Sequence, residues 1–128
     1  MISGIGTDIV RVERIARSLD RHGAAFAERV LSEREMPEYH ASRQQAHLVA
    51  KRFAVKEAVS KAFGTGIGAE MSFHDISVVH DALGKPLLAF SDAAQARLEA
   101  RGITHHHVSI SDEHDYVIAF VVFESRMA

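Results

Sequence analysis

The chain has 128 residues, 47 % of them apolar and 25 % charged, with a formal net charge of −2. This composition excludes disordered, collagen-like and low-complexity chains, and the length suits one domain, residues 1–128, around one core. There is no cysteine, so disulfides, thiolate nucleophiles and sulfur-ligated metals are excluded. The longest apolar run, residues 116–123, falls well short of the roughly 20 residues of a membrane span. Residues 1–8 lack the basic and long apolar regions of a secretory signal, so a cytoplasmic location is expected. The slightly acidic balance gives no ground for a nucleic-acid partner, and charge arguments have to be local.

Residues 1–8, with Ile2 and Ile5 among small residues, read as a short strand. Residues 9–20 read as a helix. At about 100° per residue, Ile9, Val12, Ile15, Ala16 and Leu19 share one face, and Arg11, Arg14, Arg17 and Arg21 lie opposite. Ser32 and Glu35 have capping-box spacing, so another helix starts there, made short or irregular by Pro37. Residues 45–63 form the strongest helix, free of Gly and Pro, apolar nearly all round, and closed by Gly64. Such a helix is central and buried. A flexible loop, 64–68, follows. Residues 73–80 and 86–90 read as a hairpin around 81–85. Ser91 caps a helix that ends near Gly102, and 107–111 with 116–123 form a second hairpin. The expected order is β-α-α-α-β-β-α-β-β, an α+β fold with a small, mostly antiparallel sheet packed on helices around the long central one.

Several residues could carry chemistry. Asp8 stands where the first strand meets a helix, so it is either an N-cap or a metal ligand or base. Gly4 and Gly6 leave space for something to approach the backbone beside it. Glu57 and Lys61 are four apart and share a helix face. They are either an ordinary surface pair or a functional one. Glu57 falls among Ala50, Phe53 and Ala54, where a carboxylate is costly unless paired or bound to metal. Two carboxylates without cysteine suit a hard cation, Mg²⁺ before Zn²⁺. Lys51, Arg52, Lys56 and Lys61 supply positive charge for a phosphate.

Gly64-x-Gly66-x-Gly68 follows a helix rather than a strand, so it is not the dinucleotide fingerprint, and a plain connection is the simpler reading. In the run His105-His106-His107 only the outer two share a strand face, so a metal site is not expected there. His107, Ser109 and Ser111 fall on one face, either solvent-facing or lining a pocket. The arginine stripe is either a solvated helix face, with pairs such as Arg17–Glu13, or a docking surface for an acidic partner. Residues 116–123 are apolar on both faces. The second face has to be covered by internal helices or by other copies, and a homo-oligomer is the expectation.

Taken together, five segments resemble one family. They are Ile2-x-Gly4-Ile5-Gly6-Thr7-Asp8-Ile9, Arg52-Phe53-Ala54-Val55-Lys56-Glu57-Ala58-x-x-Lys61-Ala62, the run 63–68, Asp81-x-x-Gly84-Lys85-Pro86, and His107-Val108-Ser109-Ile110-Ser111. In this order, over almost the whole chain, they resemble the bacterial holo-[acyl-carrier-protein] synthases, the small type of 4′-phosphopantetheinyl transferase. The resemblance implies the 4′-phosphopantetheinyl transferase fold, and transfer of 4′-phosphopantetheine from coenzyme A to a serine of apo-acyl carrier protein. Adenosine 3′,5′-bisphosphate would be the other product, and the reaction would support fatty acid biosynthesis. It further implies a need for Mg²⁺ and a homotrimer with active sites between subunits.

Carried over by residue, Asp8 and Glu57 match the Mg²⁺ ligands, and Glu57 and Lys61 the catalytic pair, with Lys61 against the coenzyme A phosphates. Arg52, the loop with Gly64 and Gly66, His107 and Ser109 match positions near the coenzyme A nucleotide. Arg14 and Arg21 match the helix that docks the acidic carrier protein. Asp112 stands where some members place a histidine, and neither it nor His105 and His106 is given a role. The resemblance leaves the base that takes the serine proton open. A second class, a non-enzymatic oligomeric module binding a nucleotide or an acidic protein, gives no reason for a carboxylate such as Glu57 inside an apolar helix.

Overall fold

A computed structural model describes residues 1–126. In chain order the elements are β1 (Ile2–Arg11), α1 (Val12–His22), α2 (Ala24–Val30), α3 (Met36–Ala41), α4 (Gln45–Phe63), β2 (Ile76–His80), β3 (Pro86–Phe90), α5 (Asp92–Ala100), β4 (Ile103–Asp112) and β5 (Tyr116–Ser125). The fold is α+β. One antiparallel sheet has the strand order β1-β5-β4, and β2 and β3 form a separate antiparallel pair. Among the described residues no helix is long and apolar enough to cross a membrane.

α4 runs as its composition dictates, over the residues expected, and ends at Gly64 in the left-handed conformation, φ 95°. It packs across the inner face of the three-stranded sheet. Ala54, Val55 and Ala58 of α4 and Val117, Ala119, Val121 and Phe123 of β5 are all fully buried in the one core between helix and sheet. The alanines let the helix lie close. Closest of all is β1: a Cβ added at Gly4 would collide with the carbonyl of Ala62, and one at Gly6 with the carbonyl of Ala58. The space that Gly4 and Gly6 leave is therefore taken by α4 itself.

Four expectations need correction. The helix placed at 9–20 begins only at Val12, because β1 stays paired with β5 through Ile9↔Ile118 and Arg11↔Tyr116. Ile9 thus faces outward from the sheet, and Arg11 leaves the arginine stripe to bond the Tyr116 hydroxyl at 3.1 Å. Asp8 is no N-cap; that position belongs to Arg11, whose side chain caps nothing. α2 was not anticipated: Gly23, at φ 61°, breaks what would otherwise read as one helix. The strand expected from residue 73 starts at Ile76, after a turn of 3₁₀ helix capped by Ser72 and Asp75.

The capping box at Ser32 and Glu35 is present and opens a 3₁₀ turn before α3. Glu35 has a larger role. Its carboxylate, 4 % exposed as a residue, accepts from Lys56 Nζ at 2.6 Å, from the Ser32 amide at 2.9 Å and from the Val78 amide at 2.9 Å. Lys56 is wholly buried and spends its other N–H groups on the carbonyls of Val30 and Phe73, at 2.8 and 3.0 Å. Burial pushes the Lys56 ammonium below its ordinary range, and Glu35 opposes that shift. Lys56 is therefore a structural cation that ties α4 to the end of α2 and to the turns that precede α3 and β2, and it is withdrawn from the set available to a phosphate.

The approach of β1 to α4 gives the first prediction. Gly6→Ala drives a methyl into helix backbone that no rotamer change relieves, and it should destabilise the fold by about 3 kcal/mol and lower Tm by roughly 10 °C. Thermal unfolding followed by circular dichroism checks it. A Tm within about 2 °C of the parent would show that α4 can stand off the strand.

Candidate active site

Asp8 lies two residues beyond Gly6 on the inner face of β1, so the contact that seats α4 also sets Asp8 against the α4 face bearing Glu57 and Lys61. Lys61 Nζ donates to Asp8 Oδ1 at 3.0 Å and to the Thr7 carbonyl at 3.1 Å. The Asp8 side chain is 16 % exposed and the Lys61 side chain 51 %. The ammonium is thus anchored at one end of a partly shielded notch and open at the other. Glu57 is held above the usual carboxylate range, first by partial burial and then by the charge of Asp8. Lys61 and Arg14 pull in the other direction. Arg14, on α1, lies 5.7 Å over the ring of Phe53. Two carboxylates, a lysine and an arginine from β1, α1 and α4 therefore converge.

Among the described residues no three acidic or histidine side chains come together to hold a metal. The pair Asp8 and Glu57 nonetheless fits a hard cation. Both offer oxygen, they raise each other's energy while unneutralised, and a cation such as Mg²⁺ commonly takes one or two carboxylates and completes its shell with water and phosphate.

The remaining residues singled out from sequence lie elsewhere. His107 and Ser109 point outward from β4, opposite Val122 and Phe120 of β5, on the far face of the sheet from Asp8. His107 bonds Glu124 at 2.5 Å. Arg52 is a third place: its side chain, 3 % exposed, pairs with Glu38 at 2.7 Å and stands 3.7 Å from Glu35. Its Nε has no hydrogen-bond partner. Gly64 and Gly66 carry positive φ angles of 95° and 71° in an open loop at the C-terminal end of α4. Arg14 and Arg21 are exposed on α1 and seven residues apart, hence on one face, while Arg17 is occupied by Glu13 at 2.7 Å.

Sequence reasoning missed the pairing of Asp112. It meets His47 at 2.5 Å and links the first turn of α4 to the end of β4, in the wall of a cleft of about 700 Å³ that also carries Arg43 and Lys51. That cleft adjoins the start of α1 at Val12 and does not include Asp8 or Glu57. No spacing rule reveals such a pair, because its members are 65 residues apart.

Comparison with known proteins gives the site its context. The sequence profile of the 4′-phosphopantetheinyl transferase superfamily matches residues 4–121. The chain is 52 % identical over 126 residues to a holo-[acyl-carrier-protein] synthase of Azoarcus sp. (strain BH72), covering 98 % of this chain and 100 % of that one. Its fold matches the crystal structure of holo-[acyl-carrier-protein] synthase from Neisseria meningitidis with a TM-score of 0.94, at 48 % identity and over 98 % of this chain and 100 % of the other. It also matches a holo-(acyl-carrier-protein) synthase from Bacillus anthracis in complex with CoA (3′,5′-ADP), with a TM-score of 0.83 at 42 % identity, over 98 % and 99 % of the two chains. The chain belongs to the holo-[acyl-carrier-protein] synthase family of 4′-phosphopantetheinyl transferases.

Proposed function

We propose that this chain transfers 4′-phosphopantetheine from coenzyme A to a serine hydroxyl of an apo-acyl carrier protein, and releases adenosine 3′,5′-bisphosphate. The observation that carries the reading is the convergence of Asp8, Glu57 and Lys61 in a chain about half identical to holo-[acyl-carrier-protein] synthases over nearly its full length. Asp8 and Glu57 are the Mg²⁺ ligands. Once bound, the ion supplies neutralising charge to the pyrophosphate oxygens. Lys61 spends two of its three N–H groups on Asp8 and Thr7, which leaves the third for a phosphate oxygen. It stabilises the leaving oxygen as the bond to the nucleotide breaks, by a charge already in place. The serine proton passes to Glu57 or to a water beside it. The protein's contribution is mainly positioning and electrostatics.

The partner residues call for more than one copy. His107 and Ser109, read as coenzyme A residues, lie on the opposite face of the sheet from Asp8 and Lys61, which favours a site completed by a second copy. The outer sheet face between them is apolar: Ile5 and Ile9 are each 60 % exposed, Ile118 43 % and Phe120 44 %. A surface of this kind marks an interface. We read it as the contact between subunits of a homotrimer, with each active site shared between neighbours; the number three rests on the family. Arg52 serves the nucleotide only by exchanging its half-exposed partner Glu38 for a phosphate. Arg14 and Arg21 dock the acidic carrier protein, and the reaction takes place in the cytoplasm, on the carrier of fatty acid synthesis.

The direct test is the intact mass of apo-acyl carrier protein after incubation with this protein, coenzyme A and Mg²⁺. One added phosphopantetheine, absent with a chelator, is expected; no gain on a competent carrier would overturn the transferase reading. In the same assay Asp8→Asn and Glu57→Gln should each lower turnover by about a hundredfold while keeping the parent Tm.

Arg21→Glu should raise KM for the carrier by about tenfold, with KM for coenzyme A unchanged. Arg21 is the cleaner probe, since Arg14 also acts on Glu57. Equal effects on both constants would refute the docking face. Phe120→Asp should give a monomer in sedimentation velocity and abolish turnover; an active monomer would refute the shared site.

A further inference from the structure

Helix α5 and the residue that follows it present two arginines one turn apart, Arg97 and Arg101, and each grips one flank of the glycine loop 64–68. Arg101 lies with its guanidinium 3.7 Å from the centroid of the Phe63 ring and donates to the Phe63 carbonyl. Phe63 is the last residue of α4, so that carbonyl is one of the four acceptors a helix leaves without an internal partner. Arg97 donates to the carbonyl of Glu70 at 3.0 Å and stands 3.4 Å from its carboxylate. The exposed ion pair contributes little, and the backbone bond is the anchor.

The loop has few restraints of its own. The amides of Gly64, Thr65 and Gly66 all aim at one acceptor, the carbonyl of Ser60, at 2.9, 3.2 and 3.3 Å, and Gly68 donates to the Met71 carbonyl at 3.1 Å. Three donors on one oxygen cannot all be strong bonds. Gly64 and Gly66 need glycine for their positive φ, but Gly68 has an ordinary φ and a Cβ there would meet nothing within 4 Å. Nothing inside the chain asks for glycine at 68, and a bare backbone at that point suits the close approach of a ligand.

We propose that Arg97 and Arg101 are positioning residues, which fix the two flanks of loop 64–68 in the shape that receives the phosphates of coenzyme A. The inference rests on the reading of this loop as part of the coenzyme A site. Cations that leave the ligand untouched thus determine how well a flexible, glycine-rich segment is organised before binding.

The test uses the full chain and the double variant Arg97→Ala/Arg101→Ala, with Arg101→Lys as the conservative control. Amide hydrogen exchange should accelerate about tenfold at Gly64, Thr65, Gly66 and Gly68, with the β5 amides unchanged. KM for coenzyme A should rise about tenfold, with kcat and KM for the carrier protein within about twofold of the parent. Arg101→Lys, whose ammonium can still donate to the Phe63 carbonyl, should stay within about threefold of the parent in both loop exchange and KM for coenzyme A. Unchanged loop exchange would overturn the proposal whatever the kinetics. Faster exchange with an unchanged KM for coenzyme A would overturn the link between the loop and this ligand. A parent protein that transfers no phosphopantetheine would instead overturn the proposed function, and the exchange arm would still decide whether the arginines hold the loop.

Discussion

Two glycines on a strand set the geometry on which the rest depends. Gly4 and Gly6 allow the backbone of β1 to approach the carbonyls of Ala58 and Ala62 more closely than any side chain would permit. A helix that lies this near a strand has its rotation and its translation fixed together, because backbone atoms cannot move aside as rotamers can. The consequence appears two residues further along the strand, where Asp8 meets Lys61 and the charge of Glu57. The acidic pair thus follows from a packing constraint and needs no special local conformation: among the described residues no non-glycine residue adopts a positive φ, and no peptide bond is cis.

The other side of α4 is held by a buried polar cluster. Lys56, next to Glu57 in sequence, points away from the site and satisfies all its donors on Glu35, Val30 and Phe73. Neighbouring residues on one helix thereby carry opposite duties. The buried ion pair is tolerated because its hydrogen bonds are complete, and removing either partner alone would leave a charge stranded in the core. Arg52 extends the cluster toward the surface through Glu38, and Ser32 meets Ser77 within it at 2.6 Å. Helix α4 is thus pressed to the sheet by small residues on one side and tethered by directional bonds on the other.

The three-stranded sheet performs two tasks with its two faces. Its inner face is the floor for α4, and its outer face offers isoleucine, valine and phenylalanine to water beside His107 and Ser109. An antiparallel sheet with one solvated face ordinarily alternates apolar with polar residues. β5 does not alternate, and that departure from the pattern is the physical reason to look for a second copy there. The same departure separates the candidate ligand residues into two groups that one chain does not bring together.

Much of this was legible in the sequence. The alanine-rich run 45–63, apolar nearly all round, could only be a central helix, and Gly64 marked its end, because composition and a terminal glycine act locally. The pairing of Glu57 with Lys61 on one face followed from helical periodicity, and the anomaly of an acidic residue among apolar neighbours pointed to chemistry. The doubly apolar last strand was equally plain. Local rules failed where distant partners decide. The strand–helix boundary after Asp8 moved to Arg11 because β5 offers hydrogen bonds that outweigh the helical pattern of residues 9–11. Glu35 and Lys56 read as a cap and a spare cation until the fold closed over both. Gly4 and Gly6 announced a close approach without naming α4 as the visitor, and Asp112 gave no hint of His47. Sequence alone determined most of the helices and strands, α4 above all, and which residue types are out of place, since those depend on neighbours a few positions away. Only the tertiary structure decided which of those residues meet, since burial and hydrogen bonding between segments far apart in the chain are set by packing, not by spacing.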